Sequence, residues 1–192
     1  MTLGEKGFQP DMRLIETLPN GNIVFYHFTR ADRLEKILSN KNGLCSYRPV
    51  ACPNPPEEFE GCYLVEGFLE PLPKWLTENF YFGNLGIELV QEYIGNMLLR
   101  IEIPLDFPKV YIADYAHVLE CRCFDEKGNS PLGLGYQCQT GNEVTQAYVN
   151  SYIPIKDYRG GHIAPVVQVL GKDNRIIIPN KYISISNVQP LK

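Results

Sequence analysis

The feature that most limits how this chain can fold is an asymmetry in its apolar spacing. Helical spacing lies mostly in the first half, whereas the second half carries short β-branched and aromatic runs closed off by Gly, Pro and Asn. Helices grouped ahead of strands predict an α+β fold rather than a doubly wound sheet. Residues 22–28 (NIVFYHF) follow the turn dipeptide Asn20-Gly21 and predict a strand. Leu34, Ile37 and Leu38 then recur at helical spacing, with Thr29 or Asp32 as the cap and Asn42-Gly43 as the stop. Residues 47–73 are so interrupted by proline and glutamate (ACPNPPEEFEGC) that they predict a long surface loop. A short aromatic strand at 80–83 and a helix over Leu85–Tyr93 come next. Strands are predicted at 96–103, 110–113, 117–124, 144–155, 163–170, 175–178 and 182–185, with a glycine-rich loop at 125–135.

The totals narrow the function classes. With 192 residues, 44% hydrophobic and 21% charged, the chain fits one domain spanning 1–192. No stretch approaches the roughly 18 to 20 apolar residues of a spanning helix, and the N-terminus lacks the basic start and apolar run of a secretory signal, so a cytoplasmic protein with no membrane partner is expected. Six cysteines without a C-x-x-C pair, and only three histidines, predict unbridged thiols and no metal. A net charge of −4 disfavours nucleic acid as a partner. Gly133-Leu134-Gly135 leads into Tyr-Gln-Cys rather than a helix, so a Rossmann crossover is not supported.

The corner Tyr26-His27-Phe28-Thr29 closes the first predicted strand just before a helix, where backbone N–H groups face outward. A histidine there can hydrogen-bond a ribose hydroxyl, and the threonine offers a second polar contact. The plainer alternative is a satisfied core or cap histidine.

The run Tyr-His-Phe-Thr-Arg, followed by Leu34, Ile37, Leu38 and Gly43-Leu44, resembles the opening of the ADP-ribosyltransferase superfamily, and within it the DarT-type DNA-modifying toxins and related bacterial and phage proteins. Asn79-Phe80-Tyr81-Phe82-Gly83 is similar to the aromatic strand of the PARP-like, diphtheria-toxin-like branch, and Glu92-Tyr93 before an apolar strand to its second tyrosine. The resemblance implies a single domain with a split β-sheet. It implies NAD as substrate, with His27 and Thr29 on the ribose and Tyr81 and Tyr93 stacking the nicotinamide. It also implies a glutamate opening a late strand, for which Glu143 is the candidate, to stabilise an oxocarbenium-like sugar as nicotinamide leaves. His27 and Glu143 are thus the expected catalytic pair. The implied function is transfer of ADP-ribose to a macromolecule, a protein acceptor being expected over nucleic acid, with NAD glycohydrolysis as a close variant. A catalytically silent nucleotide- or protein-binding module on the same fold, and an RNA 2′-phosphotransferase, are the alternatives. The sequence departs from the family in having Phe28 where many members place glycine, and in lacking a Gln-x-Glu pair at Glu143.

Overall fold

A computed structural model describes residues 11–46, 48–77, 85–122 and 141–188. Among them are nine strands and five α-helices. They are β1 (Asn22–Thr29), α1 (Ala31–Leu38), β2 (Gly43–Cys45), β3 (Tyr63–Phe68), α2 (Lys74–Thr77), α3 (Leu85–Tyr93), β4 (Met97–Pro104), β5 (Val110–Asp114), α4 (Ala116–Arg122), α5 (Gly141–Asn150), β6 (Ile153–Pro154), β7 (Pro165–Gly171), β8 (Ile176–Pro179) and β9 (Ile183–Ile185). Seven strands form one sheet in the order β6-β5-β7-β3-β1-β4-β9, and β2 pairs with β8 in a second, smaller sheet. Every pairing is antiparallel. The fold is therefore mixed α+β, as the apolar spacing predicts.

Alternation along each strand divides the core between the two faces of the large sheet. Ile23, Phe25, Leu99, Ile101, Val65 and Val167 lie on the first face, packed with Ile37 of α1, Leu44 of β2 and Ile178 of β8. Phe28, Leu64, Phe68, Leu98 and Val166 lie on the second, covered by Leu76 of α2, Ile87 of α3, Val118 of α4 and Tyr148 of α5. No helix among the described residues is long and apolar enough to cross a membrane.

Four expectations need correction. Residues 117–122, the described part of 117–124, are helix and not strand: α4 occupies 116–122, and its first amide, Ala116 N–H, donates to the Asp114 carboxylate at 3.1 Å. Asp114 also accepts from the Ile163 and Ala164 amides, so one buried carboxylate ties the start of this helix to the approach of β7. Residues 144–155 are mostly helix α5, because Val144, Tyr148 and Tyr152 repeat every four residues and pack into one cluster. Both helices lie in the second half, which holds more helix than its spacing predicts. The supposed loop at 47–73 contains β3, which sits in the middle of the large sheet between β7 and β1. Finally, α1 is capped by neither Thr29 nor Asp32. Arg30 is its N-cap, without a side-chain bond, and Gly43 begins β2 rather than closing the helix. Gly43 is needed there because a Cβ would run into the Ile178 carbonyl and Pro179 across the small sheet.

Candidate functional site: a cleft where the sheet splits

β1 runs alongside β4 for its whole length, from Asn22↔Pro104 to Thr29↔Met97. With β3 on its other side it shares a single ladder position, Tyr26↔Phe68. The contact is close at that point: a Cβ on Gly67 would lie 2.6 Å from the Phe25 ring and 2.8 Å from the Tyr26 carbonyl. Beyond it the two strands part. The gap becomes a cleft of about 860 Å³, lined by His27, Phe28 and Thr29 from β1 and by Leu64, Val65 and Glu66 from β3. Arg33, Lys36 and Ile37 of α1, Gly43 to Ser46, and the Arg48-Pro49 segment complete its walls.

His27 stands at the parting of the strands. Its Nδ1–H donates to the Glu66 carbonyl at 2.7 Å, giving that carbonyl a partner where the β1–β3 ladder has ended. The bond fixes the tautomer and leaves Nε2 as the acceptor. Burial pushes the His27 pKa below its ordinary 6.5, opposed by the Glu66 carbonyl and the Glu66 charge and assisted by Arg33, so the ring is neutral at pH 7. Thr29 is buried at the end of β1. Gly95 passes directly over its backbone in the turn before β4, at a positive φ of 132°.

Glu66 is a residue that reading 47–73 as a loop obscures. It sits opposite Gln168 of β7 in the ladder, and the two side chains share the second face of the sheet with Leu64, Val166 and Leu170. Gln168 Nε2 donates to Glu66 Oε2 at 2.8 Å and to the Tyr148 hydroxyl at 2.8 Å, and Tyr148 Oη donates to the same Glu66 oxygen at 3.4 Å. Burial, then the Glu66 charge, raises the Tyr148 pKa far above its ordinary value, which keeps the phenol a donor. Arg48 Nη1 lies 3.8 Å from Glu66 Oε2. Burial opposes the Arg48 charge, but Glu66 and the nearby phenols of Tyr148, Tyr115 and Tyr152 outweigh it, and the guanidinium stays protonated. Gln168 is fully buried, and its Oε1 has no hydrogen-bond partner. The only sequence signal for it is a lone polar residue inside the apolar run of 163–170.

The other residues expected at the site are placed differently. His27 and Thr29 line the cleft together. Tyr93, at the end of α3, is 75% exposed and is not part of the lining, whereas its neighbour Ile94 is. Glu143 occupies the exposed first turn of α5 and does not line the cleft; it opens a helix rather than a strand. Tyr81 lies outside the described residues. The thiols of Cys45, Cys52 and Cys62 are free.

No family model matches the chain, and no curated protein or solved structure matches it either.

Proposed function

We propose that the chain binds NAD in the cleft between β1 and β3 and transfers ADP-ribose from it to a macromolecular acceptor, on a fold of the ADP-ribosyltransferase type. The observation that carries this reading is His27 at the split of the sheet, on the lining of a cleft of dinucleotide size, with its tautomer fixed so that Nε2 is an acceptor. A neutral acceptor nitrogen beside the buried Thr29 suits paired ribose hydroxyls, which need hydrogen bonds rather than charge. Arg33, Lys36 and Arg48 bring three cations to the same cleft in a chain whose net charge is −4, which suits a pyrophosphate. Phe28, Leu64 and Ile94 give the apolar wall that a flat ring requires.

A silent binding module on the same fold is favoured by one observation: neither Tyr93 nor Glu143 lines the cleft. Incubating the protein with NAD, with and without cell lysate, and following nicotinamide by chromatography separates the two readings. Release that rises with lysate is the expected result. NAD binding by calorimetry without any release favours the silent module. His27→Ala should weaken NAD binding about tenfold, the loss of one good hydrogen bond; unchanged affinity removes His27 from the site.

A further inference from the structure

We infer that the carboxylate acting on the substrate in this cleft is Glu66, held in place by Gln168 and Tyr148, and that Glu143 takes no part. The inference rests on the proposed NAD chemistry and assigns its charged group.

Departure of nicotinamide breaks the bond between its ring nitrogen and ribose C1′, and the leaving base takes the electron pair. Positive charge then develops on the sugar, and a carboxylate close to it lowers the barrier. The incoming acceptor atom forms the new bond to C1′ and gives up a proton, which the same carboxylate can accept and pass to water. The products are ADP-ribosylated acceptor, nicotinamide and one proton. Such a carboxylate has to reach the cleft and be held at one position.

Glu66 meets these requirements. It lines the same cleft as His27, and His27 is bonded to its backbone, so the two residues keep a fixed spacing. Oε2 is held by Gln168 and Tyr148, while Oε1 has no hydrogen-bond partner among the described residues. One oxygen is anchored and the other is open. The anchor itself is costly to the fold, because Gln168 is fully buried in an apolar strand and leaves Oε1 unpaired. An apolar residue at that position would suit the core better, and its retention is explained if the amide is needed to orient the carboxylate. Arg48, at 3.8 Å from Oε2, pairs with the anchored oxygen only loosely.

The test compares nicotinamide release by the parent, Glu66→Gln, Glu66→Asp, Glu143→Gln and Gln168→Leu. Glu66→Gln is expected to lose on the order of 100- to 1000-fold in rate with NAD affinity changed only a few-fold. Glu66→Asp, which keeps the charge but withdraws it by one methylene, should lose less and carries the test if the amide variant does not fold. Glu143→Gln should match the parent. Gln168→Leu separates positioning from mere support of the fold. Loss of its donor should lower kcat while KM and NAD affinity change only a few-fold. A purely structural role would lower thermal stability and leave kcat of the folded protein in place. Parent-like release by both Glu66 variants, or a large loss in Glu143→Gln alone, overturns the assignment while the transfer reading stands. A parent that binds NAD and releases nothing, or does not bind it, overturns both.

Discussion

At the scale of single residues, His27 has two jobs for its two nitrogens: Nδ1 completes the hydrogen bonding of a parted strand, and under the proposed function Nε2 accepts from the ligand. That division gives a definite pH dependence. Burial holds the ring neutral, so its pKa in the folded chain lies below the ordinary 6.5. As pH falls past about 6.5 the unfolded chain takes up the proton first, and the contribution of His27 to stability declines from there until the folded ring also titrates. His117 is shifted in the same direction by burial, so unfolding experiments do not isolate His27. NAD affinity does, because a protonated Nε2 has no lone pair. Calorimetry should show affinity flat from pH 8 to 6.5 and falling at lower pH, with His27→Gln weaker but flat throughout. A His27→Gln variant whose affinity falls with pH in the way the parent's does contradicts the acceptor role. His27 and Thr29 were legible in the sequence because their strand, turn and helix signals are contiguous. Glu66 was not, because its place in the site depends on β7 and α5, about 100 and 80 residues further along.

Among elements, the unit β1–α1–β2 follows from local signals, whereas α4 and α5 do not follow from the same signals applied elsewhere. Val, Thr and Cys favour strands on average, and that average misleads at 117–124 and 144–155. In α5 and just past its end the four-residue repeat of Val144, Tyr148 and Tyr152 was present but outweighed by β-branching; in α4 the capping Asp114 was visible two residues ahead of the helix. Tertiary packing decided both cases. β3 was hidden by a different cause: a central strand reads as an apolar run, and Glu66 and Gly67 interrupt this one. Gly67 allows β1 to cross β3 closely before the strands part, and this makes a prediction about the element pair. Gly67→Ala forces a methyl against the Phe25 ring and the Tyr26 carbonyl, and should cost about 2 kcal/mol in urea unfolding. Gly141→Ala, where nothing lies within 4 Å, should change stability by less than about 0.5 kcal/mol. Equal costs at the two glycines would mean that the crossing is not tight.

Over the whole molecule the charge is distributed against its own average. The chain carries −4, yet the charged side chains lining the cleft are Arg33, Lys36 and Arg48 against Glu66 alone. Three cations gathered in one walled cleft attract an anion there against the negative net charge of the chain. The ligand's anionic part should therefore contact α1, from which Arg33 and Lys36 face the cleft one turn apart. Reversing either charge should weaken NAD binding by about 1 kcal/mol, roughly fivefold, at low ionic strength. The effect should shrink with added salt, because the screening length falls from about 30 Å at 0.01 M to about 8 Å at 0.15 M. Parent affinity should then decline on salt addition, while Arg33→Glu and Lys36→Glu decline less steeply. Lys172→Glu, a reversal at an exposed site outside the cleft lining, serves as the comparison and should keep the parent's slope. If all three variants show the same salt dependence, the attraction comes from the overall surface rather than from this cleft, and the pyrophosphate has to be placed elsewhere.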